Sequence, residues 1–477
     1  MATTTHTAQL VVVGGGPGGY TAAFLAADRG LSVTLIDEAS RPGGVCLHRG
    51  CIPSKALLHA AKVLTDAREA SGWGVSFGKP SIDLDQLRGW KNDVVAKLTG
   101  GLAQLSKQRK VTYIQGRAAF DDARTVTVTS NDASDTSTTI SFEHTIVATG
   151  SRPARPSALV LDDPRVLDST DALELERVPS SLLVIGGGYI GLEIGTVYAA
   201  LGSAVTIVEM TESLLPGADA DLVAVLARRI NQVAEKVHVE TTVTSLTAQS
   251  DGINCTLEGP QVGTLTETYD NVLVAVGRIP NSDMPGLDKT RVKRDAHGFI
   301  VVDAQRRTAE SSIFAIGDVA GEPMLAHKAF AEARVAVDAV TGGSATFKSH
   351  AIPAIVFTDP EVAWCGLTET EAAATGRQVV VAKFPWGASG RAFTLNRPDG
   401  VTKLVLDPES GQVLGVGLVG TGAGELIAEG VVAVEMGATA SDLALSVHPH
   451  PTLSETLMEA AEVFFGESTH FYRPKRG

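Results

Sequence analysis

The chain has 477 residues, 44% hydrophobic and 20% charged, an ordinary globular composition with room for three or four domains. Its net charge of −14, without long basic runs, argues against nucleic acid or anionic membrane surfaces as partners. Four Cys in this length are not a secreted disulfide framework, and Met-Ala-Thr-Thr-Thr-His-Thr-Ala-Gln has neither the charged start nor the apolar core of a secretion signal, so the cytoplasm is expected.

In chain order, Gln9 to Val13 reads as a strand, Gly14-Gly15-Gly16-Pro17-Gly18-Gly19 opens a helix through Ala27, and a second strand from Ser32 to Ile36 ends at Asp37. This is a βαβ dinucleotide fingerprint. Gly14 makes the tight turn, Gly16 lets backbone approach a pyrophosphate, Gly19 permits close helix packing, and Asp37 can accept from a ribose hydroxyl.

The stretch Gly43 to Lys55, Gly-Gly-Val-Cys-Leu-His-Arg-Gly-Cys-Ile-Pro-Ser-Lys, follows and places two thiols and an ammonium close together. Cys46 and Cys51 can pair only across a distorted turn, which Gly50 permits. The helix that continues after Pro53 leaves Cys51 at its positive end with Lys55 on the same side, and both favour a thiolate. Two unrelated buried thiols are the bland alternative. A metal cluster of Cys46, Cys51, His48 and His59 is disfavoured by the five-residue Cys spacing, and no metal is expected.

The fingerprint recurs 172 residues on, as strand Leu182 to Ile185, Gly186-Gly187-Gly188-Tyr189-Ile190-Gly191, a helix to Leu201, strand Ala204 to Val208, and Glu209. In both copies the acid stands 23 residues after the first glycine, so two dinucleotides are expected. Between Ser181 and Val208 the only charge is Glu193, but a glycine turn folds the segment back before it could span a membrane. Each unit is followed by a stretch of alternating Val and Thr, 111–140 and 237–269, read as a small antiparallel insertion. The units close on the strands Ile146 to Gly150 and Val272 to Arg278, the latter running through Ala275 and Gly277. Ile313-Phe314-Ala315-Ile316-Gly317-Asp318 is another buried strand ending in an acid, suited to a cofactor hydroxyl or simply to a turn.

From Ala351 the pattern becomes α+β, ending in His448-Pro449-His450-Pro451-Thr452-Leu453-Ser454-Glu455. Glu455 is balanced between a capping box and a functional role, while His450 suits a base for thiol chemistry. The fold class is therefore α/β, with two Rossmann-like dinucleotide-binding domains and an α+β C-terminal domain. The expected divisions are 1–150, 151–280, 281–349 and 350–477.

The thiol stretch, both fingerprints, the Gly-Asp motif, Ala275-Val276-Gly277-Arg278-Ile279-Pro280-Asn281, Pro323-Met324-Leu325-Ala326-His327-Lys328, Pro360-Glu361-Val362-Ala363-Trp364 and His450-Pro451-Thr452 together resemble the dimeric FAD-containing pyridine nucleotide–disulfide oxidoreductases, most closely their dihydrolipoamide-oxidising branch. That resemblance implies FAD on the first fingerprint and Asp318, with Gly116 and Ala326 lining it. NAD would lie on the second fingerprint, Glu209 and Ala275 to Arg278, and Lys55 and Glu193 would pair beside the flavin. It further implies a redox-active Cys46–Cys51 disulfide, with His450, held by Glu455, reaching it from the other subunit of a homodimer. Lipoyl domains and the acyltransferase core of 2-oxoacid dehydrogenase complexes are the implied partners. The alternatives are relatives that reduce glutathione disulfide or mercuric ion, or a flavin-bound redox sensor. His48, Asp37 and Pro449 depart from the usual pattern, and Pro449 stiffens the approach to His450.

Overall fold

The computed structural model describes residues 3–131 and 137–472. Strand β1 (Thr3–Val13), helix α1 (Pro17–Asp28) and strand β2 (Val33–Asp37) form the first βαβ unit, with Leu10 beside Val33 and Val13 beside Ile36 in a parallel pair. Leu10, Val12 and Leu35 are fully buried, as expected of parallel strands covered on both faces. Helices α2 (Gly44–Arg49), α3 (Cys51–Glu69) and α4 (Leu84–Gln108) follow. Next come β3 (Thr112–Gln115), β4 (Arg117–Asp122), β5 (Thr125–Thr129) and β6 (Ser137–Val147), giving the order β3-β2-β1-β6-β5-β4. Only β4 to β6 form the antiparallel part expected of 111–140, because β3 pairs parallel with β2 and extends the main sheet.

The second unit begins with β7 (Ser151–Pro153), β8 (Val166–Leu167) and α5 (Ser169–Glu174). It continues through β9 (Ser181–Ile185), α6 (Tyr189–Leu201), β10 (Ala204–Val208), α7 (Ala220–Val233) and β11 (Lys236–His238). Strands β12 (Thr242–Ala248), β13 (Ile253–Gly259) and β14 (Gly263–Tyr269) make the separate antiparallel sheet that their alternation predicts. The chain then returns as β15 (Asn271–Val274), completing a sheet ordered β11-β10-β9-β15-β8, and β16 (Arg278–Pro280) pairs antiparallel with β7. The stretch that looks membrane-like in sequence is thus a strand, a helix and a strand, and no helix is long and apolar enough to cross a membrane among the described residues.

Strand β17 (Ile313–Ala315) lies parallel to β6, so the chain beyond the second unit comes back to the first sheet, and α8 (Ala326–Val340) packs against α1. Burial drives the return: Ile313, Phe314 and Ala315 are all within the core. The C-terminal part is an antiparallel sheet, β18-β19-β22-β21-β20, built from β18 (Ala354–Val356), β19 (Glu361–Gly366), β20 (Val380–Pro385), β21 (Val401–Leu406) and β22 (Val413–Gly420). Helices α9 (Glu369–Thr375), α10 (Gly390–Thr394), α11 (Ala423–Glu435), α12 (Ala440–Leu445) and α13 (Glu455–Phe465) complete it, so the whole is the α/β and α+β combination read from the sequence.

This last part is tied to the second unit through a buried ammonium. Lys403, 1% exposed, reaches Asp219 at 2.6 Å, Asp221 at 2.7 Å and Glu369 at 2.9 Å. These three acids are close enough together to hold a cation, and two ammonium groups fill that role, Lys403 on all three and Lys383 on Asp221 and Glu369 at 2.7 and 2.9 Å. Asp219 also accepts from the Glu369 and Thr370 amides and so caps α9 from another part of the chain. Lys403→Met is expected to strip buried Asp219 of its ammonium, while Lys383 stays on Asp221 and Glu369, costing about 3–5 kcal/mol. Differential scanning calorimetry of the variant checks this as a lowered unfolding midpoint.

Candidate active site

The two glycine turns are built alike. A Cβ on Gly14 (φ +105°) would stand 2.3 Å from the Ala148 carbonyl oxygen, and one on Gly19 would stand 1.7 Å from that of Gly14. Those two glycines answer to the protein's own backbone, whereas the nearest neighbour of a Cβ on Gly16 is 3.8 Å away. Gly186 and Gly191 repeat the close contacts at 2.4 and 2.1 Å, and around Gly188 nothing lies within 4 Å. In each copy the central glycine therefore leaves an open approach to the helix N-terminus, the geometry that a dinucleotide pyrophosphate requires.

The acids are fixed in the same way. Asp37 accepts from the Gly15 amide at 2.5 Å and the Ala39 amide at 2.8 Å. Glu209, buried, accepts from the Gly187 amide at 2.7 Å and from the Thr211 amide and hydroxyl at 2.8 Å each. Asp37 lines a cavity of about 320 Å³ together with Gly14, Gly16, Cys46, Cys51, Lys55, Tyr189, Glu193, Arg278, Asp318 and Ala326. Gly116 stands apart from its wall and donates its amide to the Asp37 carbonyl at 2.9 Å. Ala275 backs Gly186, and Gly277 takes φ +122° just before Arg278.

The thiols face this cavity across a broken helix. Gly50, at φ −145° and ψ −112°, separates α2 from α3, and a Cβ there would meet the Val45 carbonyl oxygen at 2.9 Å. The break makes Cys51 the first residue of α3, two residues before the expected start at Pro53. It also brings the two sulfurs within hydrogen-bond reach. The Cys46 thiol donates to Cys51 and, against the opposing effect of burial and with help from Lys55, lowers the Cys51 pKa to about 7. The same hydrogen bond, reinforced by burial, pushes the Cys46 thiol up.

Lys55 Nζ donates to Glu193 Oε2 at 2.7 Å, and Ser54 Oγ donates to the same oxygen at 2.9 Å. Glu193, 3% exposed, completes its set by accepting the Phe357 amide at 3.0 Å on its other oxygen. Across the cavity, Gly317 (φ +75°) turns the chain so that Asp318 faces in, and buried Glu332 holds that turn through the Gly317 amide at 2.6 Å. Ser151 donates its hydroxyl to Asp318 at 2.6 Å.

At the C-terminal end, His450 Nδ1 lies 2.8 Å from Glu455 Oε1, while Glu455 Oε2 accepts the Thr452 amide at 2.7 Å. Burial opposes ionisation of Glu455, yet these two partners hold its carboxyl below its ordinary range. The full capping box does not form, because α13 starts at Glu455 after Ser454 with no side-chain cap and the Thr452 hydroxyl turns to the Pro449 carbonyl, so Glu455 divides its oxygens between the Thr452 amide and His450. His450 is 71% exposed, and no described residue beyond Ala329 lines the cavity, so His450 is not on the wall that carries its own chain's thiols. Ser54, Ser151 and Phe357 escaped the sequence reading. Ser54 lies inside the thiol stretch and Ser151 directly after the strand that ends at Gly150, without a role assigned to either, and Phe357 acts through its main-chain amide, which no side-chain pattern reveals.

Residues 8–333 match the family model of pyridine nucleotide-disulphide oxidoreductases, and residues 352–461 match that family's dimerisation domain. The chain belongs to the pyridine nucleotide-disulphide oxidoreductase family. It is 48% identical to dihydrolipoyl dehydrogenases of Vibrio cholerae and Haemophilus influenzae, in each case over 97% of this chain and 96% of the relative. Among solved structures it is similar to LpdA from Mycobacterium tuberculosis, with a TM-score of 0.87, 27% identity, and 97% of this chain and 99% of that one covered. The flavoprotein disulfide reductase RclA from Escherichia coli follows at a TM-score of 0.85 and 26% identity, with 96% and 99% covered. The paired glycine turns fit the two cofactors of this pyridine nucleotide-disulphide oxidoreductase, FAD and NAD.

In the reduced protein, ultraviolet thiolate absorbance is expected to titrate with a midpoint near the pH 7 of Cys51. Cys46→Ala should raise that midpoint by removing the donor, and Lys55→Met should raise it by removing the cation. A midpoint unmoved in Cys46→Ala would contradict the assignment of the donor.

Proposed function

We propose that the chain oxidises protein-bound dihydrolipoyl groups to lipoyl groups and passes the electrons to NAD+. The observation that carries this reading is the placement of Cys46 and Cys51 on either side of the Gly50 break, on the wall of the cavity that joins the first glycine turn to Arg278. FAD is assigned to Gly14, Gly16, Gly19, Asp37 and Asp318, with Gly116 behind Asp37 and Ala326 on the wall. The nicotinamide nucleotide is assigned to Gly186, Gly188, Gly191, Glu209 and the run Ala275 to Arg278, with Tyr189 at the mouth. When bound, FAD supplies the two-electron carrier between the thiols and NAD+.

The position of Cys51 at the α3 N-terminus, beside Lys55, sets the direction of exchange. In a disulfide the sulfur of lower thiol pKa leaves faster, so a substrate thiolate attacks Cys46 and releases Cys51 as the thiolate. The second substrate sulfur then displaces Cys46, its proton passing to the departing Cys46, which yields the substrate disulfide, a Cys46 thiol and the Cys51 thiolate. Lys55 and the α3 N-terminus hold the Cys51 anion, and Glu193 holds Lys55. His450, oriented by Glu455, takes the proton of the first attacking substrate thiol as general base.

The active unit in this proposal is a homodimer, with His450 serving the partner's thiols. Leu445 and Val447 beside it are 80% and 98% exposed, and Met436 is 79% exposed, an apolar face suited to burial against a second dimerisation domain. Lipoyl domains on the acyltransferase core of 2-oxoacid dehydrogenase complexes are the proposed partners, and a reducing cytoplasm is the proposed setting. The divisions 1–150, 151–280, 281–349 and 350–477 are retained as functional units, the third returning to the first through β17.

Turnover of free dihydrolipoamide with NAD+ tests the reading, and no turnover above that of Cys51→Ser would overturn it. Glu209 should repel a 2′-phosphate, so kcat/KM is expected to favour NAD+ over NADP+ by about 10²-fold or more, as like-charge contact costs several kcal/mol. Equal values would remove that role from Glu209.

A further inference from the structure

Between the two assigned cofactor positions lies a hydrogen-bond chain that the reaction scheme leaves unused. Arg278 grips Ser151 twice, through Nε to Ser151 Oγ at 2.7 Å and through Nη2 to the Ser151 carbonyl oxygen at 2.7 Å. Ser151, 2% exposed, passes its hydroxyl on to Asp318 Oδ2 at 2.6 Å. A serine hydroxyl has a single proton. Because its oxygen accepts from Arg278, that proton is committed to Asp318, and the chain runs one way, from guanidinium through hydroxyl to carboxylate. The backbone holds both ends in register, since Ser151 sits opposite Pro280 and Pro153 opposite Arg278 in the β7–β16 pair that links the two βαβ units.

We propose that Ser151 is a positioning residue that couples the two dinucleotide sites, so that a nicotinamide nucleotide held against Arg278 tightens the grip of Asp318 on FAD. This rests on the assignment of Asp318 to FAD and Arg278 to the nicotinamide nucleotide. A nucleotide seated on Arg278 restricts the guanidinium, the guanidinium restricts the Ser151 hydroxyl, and the hydroxyl fixes the carboxylate. Hydrogen bonds in series polarise one another in this sense. Coupling of this kind is reciprocal, so bound FAD must tighten the nucleotide by the same factor. Removing the hydroxyl leaves Arg278 its main-chain contact but severs the link to Asp318.

The rate at which FAD leaves the holoenzyme, read by the rise of flavin fluorescence after dilution, measures this without turnover. In the parent, saturating NAD+ is expected to slow release about tenfold, within the usual range of coupling between sites. In Ser151→Ala the ratio of rates with and without NAD+ should fall close to one. Ser151→Thr, which keeps the hydroxyl, should recover most of the ratio, and Arg278→Gln should lose it as Ser151→Ala does. A Ser151 that only supports the fold would speed release equally in both conditions and leave the ratio at the parent's value, which overturns the proposal. So does a parent whose release NAD+ does not change. Failure of the underlying assignment looks different: Asp318→Asn would then release FAD at the parent's rate, and Arg278→Gln would keep the parent's KM for NAD+.

Discussion

Glu193 carries a negative charge into a place where it is 3% exposed, and the arrangement of the active site follows from how that charge is met. An ionised carboxylate is stable there only with donors around it. They come from two distant parts of the chain: Ser54 and Lys55 on α3, and the Phe357 amide at the start of the C-terminal part. Since α3 begins at Cys51, holding Ser54 and Lys55 also sets the thiols against α6, on which Glu193 lies. Lys55 is further held over the Phe357 ring, 4.6 Å from its centre.

With the helix anchored, the difference between the two sulfurs becomes chemistry. Cys46 donates and Cys51 receives, so one thiol is pushed up and the other falls to about 7. In the proposed exchange Cys51, at the α3 N-terminus beside Lys55, is the leaving sulfur. Cys255 and Cys365 mark the contrast: burial pushes each up to about 12, which leaves them inert at neutral pH.

Features that depend on short spacing were legible in the sequence. The glycine turns, their terminal acids and the thiol stretch are set by contacts within about 23 residues, and the turns fold as read. Features that depend on return visits were not. β17 joins the first sheet from 168 positions beyond its partners in β6, Ala315 beside Val147, a pairing no local pattern announces. β3 alternates like the antiparallel strands after it, yet pairs parallel with β2 because Val111 and its neighbours cover the first core. Ser151 and Phe357 share that fate, since their partners lie 127 to 167 and 164 positions away.

His450 shows where a single chain ends as an explanation: it is oriented by Glu455 and remains 71% exposed, away from the cavity that holds the thiols. In the proposed dimer each site joins the thiols of one subunit to the base of the other, and subunit mixing tests this most directly. His450→Ala and Cys51→Ser homodimers each carry two broken sites, whereas a mixed dimer has one site with both residues intact. Unfolding and refolding the two variants together with FAD should therefore restore dihydrolipoamide oxidation. Mixed dimers that form and stay as inactive as their parents would contradict the claim.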